Sequence, residues 1–194
     1  MTLRFALLAV LSAGPRTGYD LLRIFDRSVG YVWHAPHTQI YPELRRLEAD
    51  GLLAGVAVPR GPRATKREYR ITELGLSTLR ELASSPVEPS REKDPYRLKA
   101  AYLEWADPDG ARAQFELHIA HYERWLASWE ETSARLSDRS DPVLAERLAV
   151  SPPEQHELIV AAKVLAYRGL IARARMEIDW ARQGLELLDG LQRS

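Results

Sequence analysis

The sequence contains no cysteine, and its formal net charge is zero. The lack of cysteine excludes disulfides, thiolate metal sites and cysteine nucleophiles, so the fold must depend on a packed core. Hydrophobic residues make up 45% of the 194 positions, which is enough for one large domain or two small ones. Because a chain without cysteine suits a reducing compartment, we expect a cytoplasmic protein.

Long hydrophobic runs are also missing. The longest run, residues 5–13, follows Arg4 and superficially resembles the core of a secretory signal, but it is too short to cross a membrane. The turn residues Gly14 and Pro15 follow it, and a second helical pattern then begins. We therefore interpret the run as a first helix and expect no membrane partner.

Motifs of common catalytic sites are absent from the sequence. It has no nucleophile elbow, no glycine-rich phosphate loop and no paired-carboxylate arrangement, so we expect neither enzymatic activity nor a cofactor. His118 and His121 have the spacing of two metal ligands on one helix face. No second ligand pair accompanies them, so we interpret both as surface histidines and predict no metal site.

The zero net charge conceals an asymmetry between the two halves of the chain. Residues 1–85 hold 12 Lys and Arg against 8 Asp and Glu, whereas residues 86–194 hold 15 against 19. A basic excess at the amino-terminal end suits a DNA-binding domain. Residues 84–95 contain three prolines among serines and charged residues, without an apolar period. We therefore predict a linker at 86–95 between domains at 1–85 and 96–194.

Apolar spacing in the first half predicts three consecutive helices. The first is expected at residues 3–13 and the second after the N-cap Thr17. The third is expected at residues 38–50. Pro42 fits this third helix because an N-cap at Thr38 would place the proline in the first turn, where its missing N–H has no intrahelical partner. The third helix is expected to bury Ile40, Leu44 and Leu47 and to end at Gly51.

A hairpin and a fourth helix follow. Strands are expected at residues 52–58 and 66–71, on either side of a turn-rich tip. The fourth helix is expected to begin at Thr72. It is expected to bury Leu74, Leu79 and Leu82. Three helices followed by a two-stranded hairpin form a winged helix-turn-helix.

Apolar spacing predicts helices throughout the second half. One short segment places Leu98, Ala101, Tyr102 and Trp105 on one face, and a longer one spans residues 108–136. From residue 154 to 191, nine apolar positions alternate steps of four and three, which indicates a seam that needs a partner helix. We infer from this that the chain self-associates. The fold class is therefore mainly α with a small β-hairpin: a winged helix-turn-helix plus a helical dimerisation domain.

Several motifs of the first half resemble the PadR family of transcriptional regulators. They are GYDLLRIF from Gly18, Trp33, HTQIYPELRRLEADGLL from His37 and KREYRITELGLSTL from Lys66. The resemblance covers residues 1 to about 85, and the helical tail matches the larger PadR subfamily in architecture only. It implies a dimeric repressor that a small aromatic or hydrophobic ligand releases from operator DNA. The wing tip PRGPRAT departs from the acidic or glycine-rich tips expected of many members.

The outward face of the third helix supplies the candidate DNA contacts. Thr38 and Gln39 lie near its start, where side chains reach base edges, and they are the predicted base readers. Arg45 is a candidate contact to guanine or phosphate. A solvated helix face is the alternative for Arg45 and Arg46, but the family resemblance favours DNA contact for both. The resemblance also implies that Tyr41 lies near the DNA backbone.

The predicted wing carries four cations within eight residues, Arg60, Arg63, Lys66 and Arg67. Such a run is commonly a solvated loop, yet a wing lying along the backbone or minor groove would use it to displace counterions. We predict that at least two of these four side chains contact DNA. The rival interpretation is a winged-helix module that binds other proteins and has no specific DNA activity.

Aromatic residues are concentrated in the second half. One interpretation is packing at a helical interface, where large rings bury much area. The other is a cavity in which rings clasp a flat apolar effector. The candidate ligand-binding residues are Trp125, Trp129 and Trp180.

Overall fold

The computed structural model of the chain describes residues 3–27, 36–59, 65–89 and 93–192. The chain divides into two units, one formed by residues 1–88 and 142–156 and the other by residues 89–141 and 157–194. The structure thus groups a segment of the second half of the chain with the amino-terminal unit. The domain limits predicted from the sequence, 1–85 and 96–194, stay a prediction.

Three helices form the core of the first unit: α1 (Leu3–Leu11), α2 (Gly18–Arg27) and α3 (His37–Ala49). The cap predicted at Thr17 is present, since the backbone N–H of Asp20 donates to Thr17 Oγ1 at 3.3 Å. The predicted stripe of α3 is confirmed, because Ile40, Leu44 and Leu47 are fully buried. This burial fixes which face of α3 turns outward.

The start of α3 differs from the prediction. The helix begins at His37 after Pro36, and Thr38 is not its N-cap. Pro42 is therefore the sixth helical residue and cannot donate to the Thr38 carbonyl. The end is as predicted. Gly51 has φ +73°, and the N–H groups of Gly51 and Leu52 donate to the carbonyls of Glu48 and Leu47 in a Schellman motif.

The predicted hairpin is confirmed, and a third strand extends it into a three-stranded sheet. Strands β2 (Leu53–Pro59) and β3 (Thr65–Ile71) pair antiparallel, with Leu53 opposite Ile71 and Pro59 opposite Thr65. The short strand β1 (Arg16–Thr17) pairs antiparallel with the other edge of β3. The sheet order is therefore β1-β3-β2, which attaches the start of α2 to the wing.

Helix α4 (Glu73–Ser84) begins as predicted, with Thr72 Oγ1 accepting from the Gly75 N–H at 3.0 Å. The predicted burial of Leu74 is wrong, because this side chain is 56% exposed. Gly75 faces the core instead, and a Cβ there would lie 2.2 Å from the Leu52 carbonyl oxygen. Leu79 and Leu82 pack against the core as expected.

The second unit is helical, as predicted. It contains α5 (Pro95–Ala100), a 3-10 turn (Leu103–Trp105), α6 (Pro108–Ser137) and most of α8 (His156–Gln192). Helices α6 and α8 run antiparallel, since Arg112 pairs with Asp189 near one end and Glu130 with Arg175 nearer the other.

This pairing corrects the reason for inferring self-association. The seam of α8 already has a partner helix within the chain, since Ala111 and Phe115 of α6 share a core with Ala181 and Leu188 of α8. Ile178 is also buried, with 4% of its surface exposed. The pattern correctly indicated a partner helix, but that partner is α6.

Helix α7 (Pro142–Ala149) belongs to the first unit. Leu144 is fully buried, Glu146 forms an ion pair with Arg16, and Arg147 Nη1 donates to Ser12 Oγ at 2.7 Å. Within the described ranges, no helix combines the length and the apolar character that crossing a membrane would require.

Candidate DNA-binding surface and aromatic cluster

The outward face of α3 carries the predicted DNA-contacting side chains. Thr38, Gln39, Tyr41, Arg45 and Arg46 are all exposed. Arg45 makes no hydrogen bond or ion pair with any residue that the structure describes. The side chain of Arg46 is 73% exposed and approaches Glu43 only at 3.5 Å. Both cations are therefore available to an external anion.

Tyr41 is positioned by the first residue of α2. A Cβ added to Gly18 would lie 2.4 Å from Cε1 of Tyr41, so the ring depends on glycine at this position. Beside the ring, a cleft of about 500 Å³ opens between the start of α2 and strand β3, with Asp20 and Lys66 in its lining. The glycine in the GYD motif was the sequence signal for this contact, but its role was not predicted.

Asp20 has a lowered pKa. Burial acts to raise it, but hydrogen bonds from Thr17 and the positive charges of Lys66 and Arg16 outweigh burial. The Thr17 hydroxyl donates to Asp20 Oδ2 at 2.6 Å, and the Thr17 N–H donates to the same oxygen at 3.1 Å. Asp20 therefore fixes the turn from β1 into α2.

The two wing cations that the structure describes have different surroundings. Lys66 is exposed on β3. Arg67 donates to Glu48 at 2.5 and 3.1 Å, and Glu48 also accepts from the Gly55 N–H at 3.0 Å. The hydrogen bond from Arg67 lowers the pKa of Glu48. Arg67 thus joins the wing to α3, a role that the sequence did not reveal. Arg60 and Arg63 lie outside the described residues.

A second contact holds α3 through α1. Arg4 of α1 donates to Asp50 Oδ2 at 2.5 Å and lies 3.5 Å from Glu43. Together with the Arg67–Glu48 pair, it connects α3 to both α1 and the wing. The acidic side chains of this segment therefore orient α3 and leave Arg45 open.

The three candidate ligand-binding tryptophans belong to two groups in the second unit. Trp125 stacks on Trp129, with ring centroids 5.9 Å apart and planes at 21°. Trp180 instead makes edge contacts with Phe115 at 5.7 Å and His118 at 5.2 Å. A ligand role for these three residues stays a prediction.

His118 is not the surface residue that the sequence predicted. It is 3% exposed, and its Nε2 lies 3.0 Å from Oε2 of Glu177, which is also 3% exposed. The prediction failed because Glu177 and Trp180 come from α8, about sixty residues away in the chain. His121 stays exposed, as predicted. Among the described residues, no cluster of three His, Cys, Asp or Glu could hold a metal ion.

Comparison with protein families divides the chain into two matching regions. Residues 7–81 match the family described as transcriptional regulator PadR-like. Residues 92–189 match the family described as virulence activator alpha C-terminal. Together these regions include most of the winged-helix unit, all of α5 and α6 and nearly all of α8.

Individual relatives cover almost the whole chain. The negative transcriptional regulator PadR of Bacillus subtilis is 25% identical over 96% of this chain and 97% of its own length. Its crystal structure with operator DNA has a TM-score of 0.76 at 24% identity, covering 95% of this chain and 97% of that one. Its structure with p-coumaric acid has a TM-score of 0.67 at 24% identity, covering 96% and 98%.

Two further relatives come from other bacteria. The virulence activator AphA of Vibrio cholerae has a TM-score of 0.71 at 26% identity, covering 98% of this chain and 99% of that one. A probable transcriptional regulator of Mycobacterium tuberculosis is 29% identical over 97% of this chain and 98% of its own length.

Proposed function

The chain belongs to the PadR-like family of transcriptional regulators, and we propose that it is a dimeric repressor that a small aromatic or hydrophobic ligand releases from operator DNA. The observation that carries this proposal is the outward face of α3, where Arg45 and Arg46 stand exposed beside Gln39. A module that bound only proteins would not need this face to be positive. The protein is proposed to act in the cytoplasm and to catalyse no reaction.

In this proposal, α3 enters the major groove. Thr38 and Gln39 are nearest the start of the helix and read base edges, since Gln pairs with adenine and Thr contacts a thymine methyl. Tyr41, Arg45 and Arg46 follow the DNA backbone. In the wing, Arg60, Arg63 and Lys66 meet phosphates. Arg67 supports the wing through Glu48 and adds positive charge beside them.

An exposed apolar stripe on α8 supports the dimer. At 100° per residue, five exposed apolar side chains fall within an arc of about 80°. They extend over most of the helix, and a second copy of the chain is the proposed cover. The five residues are Leu158, Leu165, Met176, Leu187 and Leu191.

Such a dimer would place two recognition helices in successive major grooves of a pseudo-palindrome. A ligand that favours a dimer with another helix spacing lowers operator affinity by its differential affinity for the two states. The Bacillus relative with p-coumaric acid bound supports a small aromatic effector for this chain as well. Trp125, Trp129 and Trp180 remain the candidate ligand contacts from the sequence.

Selection of bound sequences from random DNA by the purified protein tests the proposal. We expect a pseudo-palindrome whose half-sites are one helical turn apart, about 10–10.5 base pairs from centre to centre, or a multiple of this. Gln39→Ala is expected to lose the preference at one position per half-site. Recovery of random sequences only, with no enrichment at any salt concentration, would favour the protein-interaction module.

A further inference from the structure

A cavity of about 400 Å³ lies in the second unit, between α5, the Leu103–Trp105 turn, the first turns of α6 and one residue of α8. Its volume is in the range of small-molecule pockets. Neither Trp125 nor Trp129 lines it. Its apolar walls include Tyr96, Leu103, Phe115 and Trp180.

One buried polar side chain forms part of the cavity wall. The ring of His118 is 97% buried and lies between Tyr96, at 4.7 Å between centroids, and Trp180, at 5.2 Å. Its Nε2 pairs with Glu177, whereas its Nδ1 has no hydrogen-bond partner among the described residues. His118 lines the cavity and Nδ1 is not among the fully buried unpaired atoms, so this nitrogen is open to a hydrogen bond from a ligand group there.

The surroundings of Glu177 determine which ring nitrogen carries the proton. Arg97 approaches both carboxylate oxygens of Glu177, at 3.3 and 3.2 Å, so Glu177 acts as an acceptor. His118 therefore donates from Nε2. In the neutral imidazole this is the single ring proton, and Nδ1 keeps a lone pair. The ligand group that pairs with Nδ1 must then be a hydrogen-bond donor.

Charges of both signs surround the cavity. Lys99 and Asp107 both line it, and behind the His118 ring Arg97 is shared between Glu177 and Asp94. Arg97 is also held over the Trp180 ring at 4.7 Å, which keeps its charge near the carboxylate. With Asp94 counted, cations do not outnumber carboxylates around the cavity, which disfavours a negatively charged ligand.

We propose that this cavity binds a planar aromatic molecule without a negative charge, whose N–H or O–H group donates a hydrogen bond to Nδ1 of His118. The flat body of the ligand lies against Phe115 and Trp180, where offset and edge contacts between rings are favourable. A regulatory effect of this binding rests on the proposed function, but the binding itself does not.

Calorimetric titration of the full chain at pH 8 with indole and 1-methylindole tests the proposal. 1-Methylindole carries a methyl group in place of the N–H donor, so we expect indole to bind about three- to tenfold more tightly, and the His118→Gln variant controls for the added methyl. His118→Gln keeps a donor for Glu177 but removes Nδ1, and it is expected to bind the two probes equally. A preference retained in this variant would overturn the assignment of Nδ1.

A second pair of variants tests the location without touching His118. Ala106 lines the cavity, and Ala106→Trp is expected to fill it and abolish indole binding. Ala113 is exposed on α6 outside the lining, and Ala113→Trp is the matched control that keeps binding. Equal affinity of the wild type for both probes, or no heat of binding at millimolar indole, contradicts the proposal.

Sedimentation and DNA binding separate two remaining outcomes. If Ala106→Trp yields monomers and neither probe binds the wild type, a second copy covers this face and the ligand site is wrong. Indole that binds in a His118-dependent way but leaves the affinity for the selected DNA unchanged supports the site. The unchanged DNA affinity in that case would reject ligand-controlled release from DNA, although the binding site itself would be supported.

Discussion

Tyr41 occupies the space that a side chain on Gly18 would need, because a Cβ there would lie 2.4 Å from Cε1 of the ring. Gly18 begins α2 and Tyr41 lies on α3, so the pair sets how the two helices meet at the candidate DNA surface. Because of this contact, a substitution at Gly18 in α2 tests the position of the Tyr41 side chain in α3.

Gly18→Ala is expected to displace the Tyr41 ring and to weaken binding to the selected operator severalfold. The loss of stability should be small, at most about 1 kcal/mol, since Tyr41 is 42% exposed and can turn away while alanine favours helix. Fluorescence anisotropy with labelled DNA measures the effect. In a double-mutant cycle, Gly18→Ala should cost nothing further once Tyr41→Ala is present. Additive losses would contradict this coupling.

Base reading and phosphate binding should separate by salt dependence. Lys66→Ala is expected to weaken all DNA sequences about equally and to reduce the slope of log K against log salt by about one. Gln39→Ala should leave the slope unchanged and lose about 1–3 kcal/mol of discrimination at one base pair per half-site. Arg80→Ala on α4 is the control of equal charge. A loss of affinity for random DNA equal to that for operator would rule out Gln39 as a base reader.

The Glu48–Arg67 pair predicts a pH dependence of stability. Because the pKa of Glu48 is lowered, its contribution is complete above the ordinary carboxyl pKa and is lost as the pH falls through the lowered value. Glu48→Gln should therefore cost a few tenths to about 1 kcal/mol at pH 7 and progressively less below about pH 4. Urea unfolding at both pH values measures this. The exposed Glu81→Gln on α4 is the control, and an equal pH dependence in both variants would contradict the assignment.

The dimer prediction moves from the seam of α8 to its exposed stripe. Leu165→Glu with Met176→Glu is expected to give folded monomers with weaker operator binding, because both side chains are exposed within one chain and would be buried in the dimer. Sedimentation velocity together with circular dichroism measures both properties. Ile171→Asp with Ile178→Asp is the contrasting pair and should disrupt the α6–α8 core itself. A stable dimer of the Leu165 and Met176 variant would exclude this stripe as the interface.

Local patterns were sufficient for the winged-helix unit. The spacing of Ile40, Leu44 and Leu47 identified the inner face of α3, and Gly51 and Thr72 marked a helix end and a helix start, since caps depend on a few neighbouring residues. Leu74 was misassigned because leucine is the usual core residue. The tight approach of the Leu52 carbonyl favours Gly75 at that position instead.

Long-range partners were beyond the reach of the same patterns. The period of α8 required a partner helix but did not distinguish α6 of the same chain from a second copy, because both present an apolar stripe. His118 was predicted to be a surface residue, but Glu177 and Trp180 contact it in the folded structure. The exposed wing cation Arg67 likewise gained its partner Glu48 only through folding. The spacing of residues in the sequence does not predict these contacts of His118 and Arg67.

Helix α7 gives the chain an unusual connectivity. The polypeptide passes from the first unit to the second near residue 88, returns near 142 and leaves again near 156. A single proteolytic cut between residues 89 and 95 therefore does not release the winged-helix unit, because α7 remains bound to it while continuous with α6 and α8. A gene truncated after residue 88 lacks Leu144, Glu146 and Arg147, and its product would expose the surface that Leu144 covers. The smallest DNA-binding fragment that keeps its native surface must therefore include α7, which is encoded far downstream. The α7 segment could be added as a separate peptide or joined to residue 88 by a short linker that replaces the helical unit.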